Sequence, residues 1–251
     1  MSNTITSVIV HGATGRMGAR LCAIAADDPR FSLVGAVARE GSRDIGSPAA
    51  HAKSTPSTVK ITSSCEHHAD VVIDFSSDEG ARNALAIALA HNAALLVGTT
   101  SLTELTARAL REASSRIPLL IAPNTSLGVP VLARAAADVA RALGPSFEIS
   151  IVEAHHSRKK DAPSGTALRL AKAITDAGAV VRPDQILAVR GGDVIGEHTI
   201  RFAGPGEYIE LTHRATSRDV FVHGALSAAR WLHGRATGDY TIEDVLGLSR
   251  R

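Results

Sequence analysis

Aromatic residues make up only 3% of the 251 positions, and 27 Lys and Arg nearly balance 25 Asp and Glu. Nucleic-acid binding draws on rings for base stacking and on a basic surface for phosphates, so it is disfavoured. Cysteine is scarce too. Cys22 and Cys65 stand far apart with no CxxC spacing, which argues against a disulfide framework or a metal pair and leaves two reduced thiols. No apolar run approaches the ~20 residues that a membrane helix needs, and Met1 to Thr6 lacks the basic and apolar regions of a signal peptide. A soluble, cytoplasmic protein with no membrane or nucleic-acid partner is the expectation. What is present is ordinary globular composition, 45% hydrophobic and 21% charged, in a chain long enough for one large domain or two small ones.

Ser7 to Val10 is a short β-branched run that meets His11-Gly12. An Ala-, Leu- and Met-rich pattern follows to Ala26 and stops at Asp27-Asp28-Pro29. This reads as strand, tight turn and helix. Phe31 to Val37 and Val71 to Phe75 are further strands, the second apolar enough to be buried on both faces. Helical patterns at Asp78 to His91 and Thr103 to Ser115 alternate with strands at Leu95 to Val97 and Leu119 to Ile121. The rhythm predicts an α/β fold with a doubly wound parallel sheet. Gly41 to Ser64 is weakly patterned and reads as a surface excursion, and His67-His68 also reads as surface.

After Asn124 the rhythm changes. A long helix, Val129 to Leu143, stops at Gly144-Pro145; a strand with alternating Phe147, Ile149 and Ile151 runs to Glu153; a polar loop leads to a helix from Thr166 to Ala177. Alternating runs at Glu197 to Phe202 and Tyr208 to His213, joined through Ala203 to Gly206, predict an antiparallel pair. This half is α+β with an open sheet. An amphipathic segment at Ala225 to Leu232 and a short helix at Thr241 to Leu246 close the chain.

Gly12 to Gly18 reads GATGRMG, a GxxGxxG motif placed between the first strand and first helix. Glycine there lets backbone N–H groups approach a diphosphate at a helix N-terminus, so a nucleotide site is preferred over a turn needed only for tight packing. The second strand ends Val37-Ala38-Arg39-Glu40. A guanidinium at Arg39 suits a ribose 2′-phosphate and favours NADPH over NADH; Glu40 restoring ribose binding and Arg39 as a solvated charge are the alternatives.

The densest chemistry lies in Glu153 to Thr166, EAHHSRKKDAPSGT. Entry into a helix through Ser-Gly-Thr leaves N–H groups at Gly165 and Thr166 to cradle a carboxylate, with His156 and Lys159 able to add donors. A planar dicarboxylate suits such a loop. His155 exchanges protons near neutrality and lysine arrives protonated, which makes an acid/base pair. The residues alone leave Lys159-Lys160 open to being a solvated charge pair, and adjacent histidines find no third metal ligand nearby.

In GATGRMG, in VIDFS at Val72 to Ser76, GTT at Gly98 to Thr100, APN at Ala122 to Asn124, EAHHSRKKDAPSGTA at Glu153 to Ala167 and GEHT at Gly196 to Thr199, the chain resembles the dihydrodipicolinate reductase family of lysine biosynthesis. The motifs stand in family order across almost the whole chain. The resemblance implies a Rossmann domain over residues 1–126 completed by 219–251, and a smaller α+β domain with an open mixed sheet over 127–218 that binds substrate and builds a homotetramer. It implies NADPH- or NADH-dependent reduction of 4-hydroxy-tetrahydrodipicolinate (dihydrodipicolinate), a small cyclic dicarboxylate, to tetrahydrodipicolinate on the diaminopimelate route. No metal is implied.

By motif position, the resemblance makes His155 the acid/base histidine and Lys159 the proton donor, and places Lys160 outside the family spacing. His156, Gly165 and Thr166 match substrate-binding positions. Gly12, Ala13, Thr14, Gly15, Arg16, Met17, Gly98, Thr99, Thr100, Ala122, Pro123, Asn124 and Thr125 match the nucleotide site. The chain departs from the family at Ala38, where many members are acidic, at Ser101 in place of the usual glycine, at Thr125 in place of phenylalanine, and in a shorter Val180 to Arg190. The rivals are a different reductase or amino-acid dehydrogenase on the same two-domain plan, and a non-catalytic NADP(H)-sensing module, which would leave the His155 to Thr166 loop unemployed.

Overall fold

The computed structural model describes residues 4–50 and 58–249. The chain divides into two compact units, one built from the residues up to Thr125 together with Phe221–Ser249, the other from Ser126–Val220.

The first unit opens β1 (Thr6–His11), α1 (Arg16–Asp27), β2 (Phe31–Val37), β3 (Ile61–Thr62), β4 (Val71–Asp74), α2 (Asp78–His91), β5 (Ala94–Val97), α3 (Glu104–Ala113) and β6 (Pro118–Ile121). Every residue of β4 and β5 is buried, as their unbroken apolar runs require of strands covered on both faces. Each buried Val, Leu or Ile contributes about 1.5–3 kcal/mol against exposure. Local signals set the helix ends. Ser77 caps α2 by accepting the Gly80 N–H, Asp78 and Glu79 meet the positive end of its dipole, and Asn92 ends it in the left-handed region at φ 50°.

In the second unit, α4 (Gly128–Leu143) leads to β7 (Glu148–His155), α5 (Gly165–Asp176), β8 (Ile186–Arg190), β9 (Glu197–Gly204) and β10 (Glu207–Arg214). The sheet order is β10-β9-β7-β8. The β9–β10 and β7–β9 pairs are antiparallel, and β7–β8 is parallel, with α5 as the crossover. One face packs Ile149, Ile151, Ile200 and Phe202 against Leu132, Ala136, Leu170 and Ile174 of the helices. The register of β7, β8, β9 and β10 turns Val152, Leu187, Val189, Thr199 and Tyr208 to the other face. There Leu187, Val189 and Tyr208 are at least half exposed.

The chain then returns through α6 (Asp219–Leu232), β11 (Gly238–Tyr240) and α7 (Ile242–Val245). β11 pairs with β6 and completes a seven-stranded parallel sheet of order β11-β6-β5-β4-β1-β2-β3. The fold is therefore a Rossmann-like α/β sheet plus a separate four-stranded mixed sheet. Among the described residues no helix is long and apolar enough to cross a membrane.

Two expectations need correction. The surface excursion at Gly41 to Ser64 carries β3, which pairs with β2, and folds back through Ala49 N–H to Val59 C=O and Ile61 N–H to Ser47 C=O bonds; residues 51–57 of it lie outside the described residues. Two residues are too few to show alternation, which is why the strand is invisible to periodicity. Similarly β8 lies in the stretch flagged only as a shortened loop, and its alternation is masked because Leu187 and Val189 are apolar on the exposed face.

Candidate active site

The parallel strands of the first sheet end along one row: Val37, His11, Asp74, Val97 and Ile121 are consecutive register partners across β2, β1, β4, β5 and β6. The residues matched to the nucleotide site follow that row directly. Gly12 to Met17 leave β1, Arg39 leaves β2, Gly98 to Thr100 leave β5, and Ala122 to Thr125 leave β6. Chain connection reverses between β1 and β4, the switch point at which open α/β sheets bind ligands beyond the carboxyl ends of their strands.

The turn is shaped by its glycines. Gly12 sits at φ 81°, and a Cβ there would lie 2.4 Å from the Phe75 carbonyl oxygen. Its N–H and that of Ala13 donate to the Val37 carbonyl, tying the turn to β2. Gly18 lets α1 lie against the turn, since a Cβ would fall 2.0 Å from the Gly12 oxygen. Gly15 is the N-cap of α1 with no side-chain cap, and no acidic residue occupies the first turn. The uncapped, acid-free N-terminus of α1 is what a diphosphate requires, so the residues fit a dinucleotide.

Behind the turn lies a buried cluster that the sequence reading missed. The Asp74 carboxylate, fully buried, accepts from the hydroxyls of Ser76 and Thr99 and is bonded to His11 Nδ1 at 3.2 Å. Thr99 Oγ1 accepts the Ser76 N–H at 2.7 Å. The Thr99 hydroxyl is thus spent on bracing the strand ends. Thr125 is likewise inward: it is 1% exposed and its hydroxyl donates to the Phe221 carbonyl at 2.6 Å. Ser101 adopts φ 59°, a left-handed conformation that glycine takes without steric cost.

The second unit gathers the other predicted residues at the end of β7. Register places Glu153 beside Ala188 of β8 and His198 of β9, and His155 beside Arg190. The Glu153 side chain is fully buried. Its Oε2 meets His155 Nδ1 at 2.5 Å and accepts from Arg190 Nη1 at 2.9 Å, while Oε1 accepts from Arg190 Nη2 at 2.7 Å and from the Ser164 N–H at 3.0 Å. Burial alone would raise this carboxyl; the bonds from Arg190, His155 and Ser164 outweigh it and hold Glu153 below the ordinary range. Arg190 Nη2 also donates to the Asp161 carbonyl at 2.6 Å.

Lys159 Nζ reaches both Asp161 oxygens at 2.7 Å, with its side chain 21% exposed. Lys160 is exposed. Ser164 caps α5 by accepting the Ala167 N–H, and Gly165 stands exposed at the helix entry. Desolvation and then the charges of Arg158, Arg218, His155 and Lys159 lower the His156 pKa. Cations crowd this corner, and its buried nitrogens His156 Nδ1, Arg190 Nε and His198 Nδ1 have no hydrogen-bond partner among the described residues. An anion with several acceptor oxygens is the complementary ligand.

His198 adds a pH dependence. Its ring packs edge-on at 5.2 Å from His155, its Nε2 meets Ser164 Oγ at 3.2 Å, and burial, then the neighbouring His155 charge, push its pKa down to about 4. The unfolded chain binds this proton near the ordinary 6.5 and the folded chain does not, so stability falls as pH drops from about 6.5 towards 4. The loss reaches up to about 3 kcal/mol, a melting-point decrease of roughly 5–10 °C. Thermal melts between pH 7 and 4.5 are expected to show a shallower decline in His198→Gln than in the native protein; parallel declines would contradict this assignment.

Residues 6–125 match the family model for the dihydrodipicolinate reductase N-terminus, and residues 128–246 match that for its C-terminus. The chain belongs to the dihydrodipicolinate reductase family. It is 44% identical to the 4-hydroxy-tetrahydrodipicolinate reductase of Myxococcus xanthus, with 96% of this chain and 98% of the relative covered. It is 42% identical to that of Xanthomonas euvesicatoria pv. vesicatoria, covering 98% and 100%. Among solved structures, the dipicolinate-bound dihydrodipicolinate reductase of Paenisporosarcina sp. TG-14 superposes with a TM-score of 0.76 at 21% identity, over 95% of this chain and 98% of that one, which supports the fold. The N-terminal match includes the glycine turn of the first unit, and the C-terminal match includes the histidine–lysine loop of the second.

Proposed function

We infer that this chain reduces the 4-hydroxy-tetrahydrodipicolinate ring to tetrahydrodipicolinate on the diaminopimelate route to lysine. The observation that carries this reading is the turn between β7 and α5, where an ionised Glu153 bonds His155, Lys159 pairs with Asp161, and cations outnumber anions. His156, Gly165 and Thr166 hold the ring carboxylates, with the α5 N-terminus supplying its dipole. Lys159 carries the proton to be delivered, and His155 tunes the local proton balance. A bound nicotinamide supplies the hydride. The test is a coupled assay in which purified synthase makes the ring from pyruvate and aspartate semialdehyde. Coenzyme oxidation is expected only when both precursors are present; oxidation without them, or none with them, would sink the reading.

Gly12 to Met17, Gly98 to Thr100 and Ala122 to Thr125 form the nicotinamide nucleotide site. Of these, Thr99 and Thr125 act through their backbone, because their hydroxyls are engaged within the protein. Arg39, exposed just beyond β2, receives the 2′-phosphate and gives NADPH the advantage. One charge-assisted hydrogen bond at ~1.5–3 kcal/mol predicts that Arg39→Ala raises the NADPH Kd by about tenfold or more. Titration calorimetry should leave the NADH Kd nearly unchanged; equal losses would refute the phosphate role.

The half-open sheet of the second unit supports assembly into a homotetramer. Val152 of β7 and its neighbours Leu187 and Val189 of β8 are 38%, 53% and 50% exposed on one face, an apolar patch that self-association would cover. Light scattering is expected to give a mass four times that of the chain, and Val189→Asp to lower it. A native monomer would contradict the proposal.

A further inference from the structure

We propose that the buried Glu153–Arg190 pair is the positioning device of this site, fixing at once the tautomer of His155, the N-terminus of α5 and the Lys159 loop. The argument is geometric. One carboxylate, wholly shielded from water, touches three elements: the His155 ring at the end of β7, the backbone of Ser164 at the head of α5, and the Arg190 guanidinium on β8. The same guanidinium grips the Asp161 carbonyl, and Asp161 in turn pairs with Lys159. Thus the acid/base histidine, the carboxylate cradle and the lysine are all registered by a single fork-to-fork ion pair.

The chemistry follows from which ring nitrogen is committed. An ionised carboxylate only accepts, so the proton of neutral His155 resides on Nδ1 and Nε2 is left as the acceptor. Nε2 lies beside Gly196, where a Cβ would come within 3.2 Å, so that residue keeps the working edge of the ring uncrowded. Arg190 has a second effect. By sharing both Glu153 oxygens it keeps the carboxylate ionised despite its burial, so the pair stays a fixed anion–cation unit that orients His155 without itself taking the proton. Surrounding titratable groups reinforce the arrangement: His198 packs against the His155 ring and braces Ser164, while Asp161 meets the charges of Lys159 and Arg190.

The test compares Glu153→Gln, and the charge-free double variant Glu153→Gln with Arg190→Met, against the native enzyme. Its kinetic arm rests on the reductase reading above; its spectroscopic arm does not. In ¹⁵N-histidine spectra, with the His155 signal identified by its loss in His155→Asn, native His155 is expected to carry its proton on Nδ1. In Glu153→Gln the ring should become a tautomer mixture, and kcat should fall by ~10²–10⁴-fold while KM and nucleotide Kd hold within about threefold. The double variant, which leaves no uncompensated charge in the interior, should melt near the native temperature and show the same loss. An unchanged tautomer with native kcat in Glu153→Gln would overturn the proposal, as would native turnover by a well-folded double variant. A tautomer change in a protein whose native form never reduces the ring would uphold the positioning device and remove the reductase reading instead.

Discussion

Lys159→Ala is expected to lower kcat by about 10²–10⁴-fold, the usual worth of a positioned general acid. The Lys159 ammonium bonds both Asp161 oxygens at 2.7 Å, which holds the proton donor at the loop. Its partner, Asp161, is 60% exposed, so removing the ammonium strands no buried charge and the melting temperature should scarcely move. Asp161 is itself held below the ordinary carboxylate range, first by the Lys159 hydrogen bond, and in the variant it relaxes upward. Nucleotide affinity should also persist, because the turn proposed to bind it belongs to the other unit. Lys159→Arg should not rescue the rate: a guanidinium keeps the charge but does not release its proton. Steady-state kinetics with the coupled substrate checks this, and native turnover by Lys159→Ala would remove the lysine from the mechanism.

The second large effect is expected at Gly18. An alanine Cβ would stand 2.0 Å from the Gly12 oxygen and 2.6 Å from its carbonyl carbon, both backbone atoms that cannot swing aside. The first turn of α1 must therefore move away from the glycine loop proposed to receive the diphosphate. A displacement of about 1 Å in such a site commonly costs on the order of 10²-fold in productive binding, and overpacking adds a further ~1–3 kcal/mol of destabilisation. Calorimetric titration of Gly18→Ala is expected to show nucleotide affinity reduced by about that factor for NADPH and NADH alike, with a lower melting temperature. This pattern differs from that of Arg39→Ala, which spares NADH. Native affinity in Gly18→Ala would show that the turn does not cradle the phosphates.

Much of the scaffold was legible because local signals agree with one another. The span of α2, Asp78–His91, follows from a Ser77 cap, two acidic residues in the first turn and a left-handed Asn92. The strand β2 matches its apolar run residue for residue. The elements that escaped are short or face outward: β3 has two residues, β11 has three, and β8 shows apolar side chains on an exposed face. α6 starts at Asp219, six residues before its amphipathic stretch begins at Ala225, since Val222 and Gly224 are buried without marking a stripe.

The site divides in the same manner. His155, His156, Lys159, Gly165 and Thr166 are adjacent in sequence, so their grouping is a local matter. Glu153 lay in plain view within the motif, yet its meaning depends on Arg190, 37 residues downstream, and on a parallel register that no periodicity reveals. His11 and Asp74, separated by 63 residues, meet only because β1 and β4 are neighbours in a sheet whose order must be known first. A histidine next to a glycine turn, and an aspartate closing a fully apolar strand, were the available signals: each is a polar group where burial demands a partner.

The central claim is that the β7–α5 corner grips a small diacid. Crystals grown with pyridine-2,6-dicarboxylate and coenzyme test it most directly. The account predicts carboxylate oxygens within hydrogen-bond distance of the Gly165 and Thr166 backbone and of His156, and a ring edge facing Lys159. A diacid well ordered at any other place, with that corner left to solvent, would contradict it.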